Sequence, residues 1–166
     1  MTDTALFDDV LRANVRYAET FRHAELEAKA AKGLAVLTCM DSRIDPLGML
    51  GLVPGDAKIL RNAGARVTDD VLRTLVLAAH LLSVDRVMVV AHTSCRMTVA
   101  NESEVHNAIR SAGGPDTRSI AFMTADDQQR ALRDDVQRIR SYPYLGTVVA
   151  GGFLYDLANG RLREIC

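Results

Sequence analysis

Hydrophobic positions near the start of the 166-residue chain recur at the three-and-four spacing of one helical face. The pattern predicts a helix over residues 4 to 31, which Gly33 ends. The residues on its predicted apolar face are Leu6, Phe7, Val10, Leu11, Asn14, Val15, Ala18 and Phe21. A stripe this wide is typical of a helix that packs against another surface.

Further along, short apolar runs replace the helical spacing and predict strands. Four runs, at residues 34–38, 57–61, 86–91 and 147–155, have the length and composition of strands in a parallel sheet, and Gly151-Gly152 interrupts the last. Asn159-Gly160 is a strong hairpin signal. Residues 161–165 are therefore predicted to be a short antiparallel edge strand.

Helical segments separate most of these strands. Thr68 is predicted to cap a helix that runs to about Leu82, and Thr124 a helix that runs to Arg140. A short helix is predicted at 102–110, with loops at 41–55 and 111–115. The alternation predicts an α/β fold: a mostly parallel central sheet of four strands plus the antiparallel edge strand, with helices on both faces. At this length we expect a single domain over residues 1–166.

Composition narrows the classes of function. The chain is 48% hydrophobic and 25% charged with a formal net charge of −1, and it lacks Trp, so we expect neither a nucleic-acid partner nor a membrane surface. No apolar run reaches the roughly 18 residues of a membrane-spanning helix, and no signal peptide is visible. Three cysteines, an odd number, suit a reducing compartment, and we expect a cytoplasmic location.

Potential metal ligands follow two of the predicted strands. Cys39 comes directly after the first strand, and His92 and Cys95 follow the third. In parallel sheets, sites form beyond the carboxyl ends of the strands. Two thiolates and one imidazole are the protein ligands of a catalytic zinc site, whereas structural sites normally close with four. The alternative is two buried cysteines and a hydrogen-bonded histidine without a metal.

A carboxylate and a guanidinium lie beside the first of these ligands. Asp41 could be a fourth zinc ligand or a hydrogen-bond acceptor for the water on zinc, and Arg43 is near enough to hold it. The alternative is a surface salt bridge without function. Asn62 and Gly64 could line the same cleft, although Gly64 could equally serve only a turn. His106 could shuttle protons, but a surface histidine is the simpler interpretation.

These residues resemble the β-class carbonic anhydrases. That family's pattern is Cys-x-Asp-x-Arg after the first strand and His-x-x-Cys after a later one, which matches Cys39, Asp41, Arg43, His92 and Cys95. The segment from Arg61 to Gly64 is also similar, and the detailed likeness covers about residues 33 to 97. The resemblance implies one Zn²⁺ per chain on Cys39, His92 and Cys95. It also implies an Asp41–Arg43 dyad that orients the hydroxide on zinc during hydration of carbon dioxide to bicarbonate.

The resemblance also implies an assembly and leaves other activities open. Members of the family form homodimers or dimers of dimers, which implies an N-terminal helical arm at residues 1–32 that embraces a partner. The family commonly has Gly after the second Cys, where this chain has Arg96. Similar short members hydrolyse carbonyl sulfide or carbon disulfide, and a non-catalytic zinc-binding domain is a further alternative.

Overall fold

The structure is a computed structural model that describes residues 4–98 and 101–166. A 3-10 helix at Thr4–Phe7 leads into the first α-helix. The four α-helices are α1 (Asp8–Glu19), α2 (Asp69–Leu81), α3 (Glu102–Ser111) and α4 (Gln128–Arg140). The five strands are β1 (Leu34–Cys39), β2 (Ala57–Asn62), β3 (Arg86–His92), β4 (Val149–Tyr155) and β5 (Leu162–Glu164).

The strands form one mixed sheet in the order β2-β1-β3-β4-β5. The first four are parallel, and β5 pairs antiparallel with β4. The register places Cys39 opposite Asn62, and β1 and β3 are neighbours at the centre of the sheet. This architecture confirms the predicted fold class, including the short antiparallel edge strand.

The main hydrophobic core lies on one face of the sheet, under α2 and α4. The core combines alternate residues of β1 and β3, among them Leu37 and Val89, with Leu75 of α2 and Val136 of α4. Thr68 caps α2 as predicted, because its side chain accepts a hydrogen bond from the Val71 N–H. Period-two alternation along the strands sends every second residue into this core.

The opposite face of the sheet is covered less completely by the chain itself. Val36 and Val90 are buried there, and the cover comes from residues 49–52, around the 3-10 helix Gly48–Leu50. A groove of about 510 Å³ is open on this side, lined in part by Leu34, Met88 and Phe153. The two faces of the sheet are therefore not covered equally by the α-helices.

The predicted helix at 4–31 is too long, because α1 ends at Glu19. Residues 30–32 instead donate their backbone N–H groups to Leu82, Gly55 and Asp56, and Ala30 is buried. These contacts with distant parts of the chain override the helix propensity of residues 30–32.

Helix α4 begins three residues later than predicted. Its cap is Asp127 and not the predicted Thr124. The Asp127 side chain accepts a hydrogen bond from the Arg130 N–H. The Ala125 N–H donates to the Met97 carbonyl, which holds the preceding residues outside the helix.

A buried ion pair anchors α4 to the loop after β2. Arg66 Nε donates to Asp135 at 2.6 Å, and the same guanidinium donates to the Met123 carbonyl. The Asn62 side chain, in turn, bonds both the N–H and the carbonyl of Arg66. In the part of the chain that the structure describes, no helix has the length and hydrophobicity needed to span a membrane.

Candidate metal centre

The ends of β1 and β3 bring the predicted ligands together. Cys39 is the last residue of β1 and His92 the last of β3, and the two strands are neighbours and parallel. A tight turn then returns the chain to place Cys95 beside them. Ser94 in this turn has a left-handed φ of 55°, a conformation uncommon for a residue with a side chain.

The three side chains form a buried cluster with the dimensions of a metal site. One ligand atom from each of Cys39, His92 and Cys95 lies within 4.8 Å of the others, and the two sulfur atoms are 4.0 Å apart. The exposed fractions of the three residues are 5%, 1% and 7%. Two thiols and one imidazole converge here without a disulfide.

The imidazole of His92 presents a lone pair to this cluster. Its Nδ1 lies 2.9 Å from the Thr93 carbonyl oxygen, which can only accept, so Nδ1 carries the proton. In the neutral ring Nε2 is then the acceptor, and it is buried with no hydrogen-bond partner among the described residues. An orphaned buried nitrogen costs free energy unless something binds it. A zinc ion fits this donor set, and the Thr93 bond orients the ring as in known zinc sites.

The sulfur atoms lie in surroundings that a cation would stabilise. Burial raises the pKa of the Cys95 thiol to about 11, because a buried thiolate is poorly solvated. The Gly64 N–H donates to Cys39 Sγ at 3.4 Å. Gly64 has a φ of 80°, and an added Cβ would press on Met97 at 3.2 Å. Gly64 therefore both permits the turn and brings its N–H to the sulfur.

Asp41 and Arg43 form a two-pronged ion pair at the edge of the cluster. Arg43 Nε and Nη2 donate to the two carboxylate oxygens at 2.9 and 2.7 Å, and the Arg43 backbone N–H adds a third bond. These bonds hold the pKa of the Asp41 carboxyl well below its usual range. Asp41 Oδ2 is 3.9 Å from His92 Nε2, so the carboxylate faces the cluster while it stays on Arg43.

Other residues hold the ligand segments in place, and the sequence did not identify their contacts. Arg61 donates to the carbonyls of Cys39 and Asp41, and the Gln128 side chain donates to the His92 carbonyl. The contact of Arg61 follows from the parallel pairing of β1 and β2, because this pairing puts Arg61 beside Thr38. Nothing local to Gln128 indicated its role, because it comes from α4.

A cavity of about 470 Å³ opens from the cluster to solvent. Its lining consists of Cys39, Met40, Asp41, Ser42, Arg43, Ala63, Cys95, Arg96 and Met97. Asn62 does not line it, since its amide clamps the Arg66 backbone. His106 lies elsewhere, where its Nδ1 bonds Thr117 and its ring contacts Phe122.

Comparisons of the chain with known proteins agree on one protein family. The family model described as carbonic anhydrase matches residues 34–138, a range that contains all five predicted site residues. The chain is 34% identical to beta-carbonic anhydrase 1 of Mycobacterium tuberculosis (strain H37Rv), over 95% of this chain and 96% of that protein. It is also 42% identical to the carbon disulfide hydrolase of Acidianus sp. (strain A1-3), over 79% of this chain and 76% of that protein.

A solved structure agrees with the sequence comparisons. The crystal structure of carbonic anhydrase from Streptococcus mutans superposes with a TM-score of 0.89 at 34% sequence identity. The match covers 96% of this chain and 97% of that one. Similarity of fold and of sequence therefore extends over nearly the whole chain, including α1.

Proposed function

The chain belongs to the β-carbonic anhydrase family, and from this membership we propose that it catalyses the zinc-dependent, reversible hydration of carbon dioxide to bicarbonate and a proton. One observation carries the proposal. The buried, unpartnered Nε2 of His92 faces two thiols, next to a carboxylate held by Arg43. The metal site and its ion pair thus have the donor set that a hydration reaction needs.

We propose one zinc ion per chain, held by Cys39, His92 and Cys95. In carbonic anhydrase, bound zinc lowers the pKa of a water molecule to about 7, against about 9 for the aqueous ion, and so supplies a nucleophile at neutral pH. Cys39, His92 and Cys95 would supply three protein ligands, the number typical of catalytic sites that keep a position for water. The Gly64 N–H supports the Cys39 sulfur, and the Thr93 carbonyl fixes the imidazole ring.

Asp41 is proposed to orient the attacking water molecule. Arg43 occupies both carboxylate oxygens, with two bonds to Oδ1 and one to Oδ2, so Oδ2 keeps a lone pair that can accept a further hydrogen bond. Because an ionised carboxylate only accepts, a hydroxide supplied by bound zinc would donate its one hydrogen to Asp41 and so turn its lone pairs away from Asp41, toward the substrate carbon. Arg43 also keeps the carboxylate from competing with water for the metal.

The substrate is small, uncharged and apolar, so binding supplies little free energy. Ala63 and Met97 give the cavity an apolar part of its lining, against which carbon dioxide can rest. Correct placement of two reactants can lower a barrier by several kcal/mol, on the order of 7–11 in favourable cases. The rigid strand ends that carry the cluster supply such placement.

The second candidate is hydrolysis of carbon disulfide or carbonyl sulfide at the same site. The 42% identity to the Acidianus carbon disulfide hydrolase favours it. The better coverage of both chains in the matches to carbonic anhydrases favours hydration of carbon dioxide. Both substrates are linear and uncharged, so the two activities require separate assays.

Zinc analysis and two rate assays test the proposal. We expect the purified protein to contain one zinc per chain and to hydrate carbon dioxide faster than it hydrolyses carbonyl sulfide in stopped-flow measurements. Cys39→Ser and Cys95→Ser should lose most of the zinc and the activity, because a hydroxyl is a poor zinc ligand. Cys166→Ser is the matched control and should keep both, since Cys166 lies outside the cluster.

Full zinc occupancy in either Cys39→Ser or Cys95→Ser would remove that residue from the ligand set. Faster turnover of carbonyl sulfide than of carbon dioxide would assign the chain to the second candidate. Zinc bound at full occupancy with neither activity would indicate a non-catalytic domain.

We also propose a homodimer, or a dimer of dimers, in which α1 packs on a second copy of the chain. Five large apolar side chains at residues 6–15 are between 54% and 75% exposed. The open sheet face, with its groove beside Leu34 and Phe153, provides an apolar surface in each copy. We further propose a cytoplasmic location, which three unpaired cysteines support.

A further inference from the structure

We propose that Arg96 forms an anion-binding subsite at the opening of the metal cleft, where it binds the bicarbonate product and competing inorganic anions. The inference rests on the proposed function for the identity of the product. It extends that function by assigning a residue that discriminates charged from uncharged small molecules. Arg96 is proposed as a specificity residue and not as a group that takes part in the chemical step.

Arg96 is placed directly at the cleft. It follows the ligand Cys95, is exposed, and lines the same 470 Å³ cavity as Asp41 and Arg43. Six arginines form ion pairs among residues 4–98 and 101–166, and Arg96 is not among them. Those six are Arg12, Arg43, Arg66, Arg73, Arg118 and Arg138.

Among the charged residues that line this cavity, Arg96 is the one without a counter-charge. Asp41 neutralises Arg43 through their two-pronged pair. Two thiolates balance the two charges of a bound zinc ion. A second cavity is lined by both Arg96 and Glu104, but that carboxylate is not within ion-pair distance of the guanidinium. With zinc in place, Arg96 would therefore add an uncompensated positive charge to the lining of the cleft.

A free guanidinium matches the chemistry of the product better than that of the substrate. Bicarbonate is a planar oxyanion, and guanidinium groups bind such anions through two parallel N–H···O bonds. Carbon dioxide carries no charge, so Arg96 gives it no electrostatic advantage. Arg96 should thus strengthen anion binding selectively and retain bicarbonate longer at the site.

The test measures anion binding without turnover. The parent protein, Arg96→Gln, Arg96→Lys and Arg133→Gln are loaded with cobalt(II) in place of zinc and titrated with thiocyanate and with bicarbonate, followed by visible absorption. Arg133→Gln is the matched control, because Arg133 is exposed on α4 and does not line the cavity. We expect Arg96→Gln to weaken binding of both anions by roughly fivefold to tenfold, equivalent to about 1 kcal/mol or slightly more.

Arg96→Lys should retain most of the affinity, since it keeps the charge, and Arg133→Gln should match the parent. Equal affinities in Arg96→Gln and the parent would overturn the proposal, as would an equal loss in Arg133→Gln. Carbon dioxide hydration by the zinc-loaded parent is measured in parallel. Its absence would contradict the proposed function, while the cobalt titration would still decide the role of Arg96.

Discussion

At the scale of single residues, hydrogen bonds from neighbouring groups decide what each side chain in the cleft can do. The Thr93 carbonyl fixes the tautomer of His92 and leaves Nε2 ready to bind a metal. Arg43 keeps Asp41 ionised and 3.9 Å from that nitrogen. The same side chains without these partners would be a histidine and a surface carboxylate of no particular reactivity.

Replacing either member of the Asp41–Arg43 pair should lower activity while zinc stays bound. Asp41→Asn should reduce kcat/KM by about 10²-fold or more, because an amide NH₂ can donate where the carboxylate only accepts. Arg43→Ala should free Asp41 to bind the metal and should also lower the rate. Stopped-flow pH–rate profiles and zinc content of each variant measure these effects.

Asp116→Asn is the matched control, because Asp116 and Arg118 form the same Asp-x-Arg pair on an exposed segment away from the cavity. Arginine neighbours lower the pKa of both carboxyls, so neither titrates between about pH 6.5 and about pH 9. The parent rate should rise with pH across this range as the bound water loses its proton. Rates equal to the parent for both Asp41→Asn and Arg43→Ala throughout this range would reduce the pair to a surface salt bridge.

At the scale of elements, two amphipathic helices of similar length differ in how much of their apolar face is buried. Helix α2 buries Val71, Leu72, Leu75 and Ala78 against the sheet, whereas α1 buries no side chain within its own chain. An apolar stripe of this kind exposed to water is unfavourable by roughly 25 cal/mol for each Å² that could be buried. Helix α1 would therefore gain stability by packing on the partner proposed above.

A charge on the apolar face of α1 should disrupt the proposed dimer. We expect Leu11→Asp to shift the protein toward the 18.1 kDa monomer, because the carboxylate would have to be desolvated in the interface. Light scattering at micromolar concentration gives the mass, with about twice that value or a higher multiple expected for the parent. Ala13→Asp, on the polar side of the same helix, is the control and should remain oligomeric. A parent protein that is monomeric and fully active would contradict the assembly.

At the scale of the whole molecule, the metal centre joins two segments that are distant in sequence. Cys39 and Cys95 are 56 residues apart, and the cluster forms only when β1 and β3 pair. The unfolded chain cannot present the same site. Any metal that binds here should therefore stabilise the native sheet as a whole.

Removing zinc should lower the melting temperature. Zinc at a free concentration of about 1,000 Kd contributes about 4 kcal/mol, which corresponds to a shift of roughly 10 °C for a chain of this size. Calorimetry before and after treatment with a chelator measures the shift, and added zinc should reverse it. Added magnesium should not restore the melting temperature, because magnesium prefers oxygen ligands. An unchanged melting temperature after verified zinc removal would show that the cluster does not couple to folding.

The sequence by itself was sufficient to predict the strands, the order of the elements and the family, because these depend on local patterns. Apolar runs located β1 to β4 within two residues at each end, and Asn159-Gly160 indicated the antiparallel edge strand. The Cys-x-Asp-x-Arg and His-x-x-Cys motifs selected five residues that the structure brings to one cleft. The spacing of motif residues along a strand end or a tight turn is a short-range property, and folding does not change it.

Only the tertiary structure decided that residues 30–32 lie outside a helix, which residue caps α4 and how the cleft is held. Ala30 leaves the helical pattern because its N–H reaches Leu82, and Thr124 loses the cap position because the next residue bonds Met97. The contact of Gln128 with the His92 carbonyl likewise joins segments 36 residues apart. Each of these outcomes is a competition between a local partner and a distant one for the same hydrogen-bonding group. The sequence pattern contains information on the local hydrogen-bond partner alone. The distant partner is brought near only when the sheet has assembled, so the pattern could not predict it.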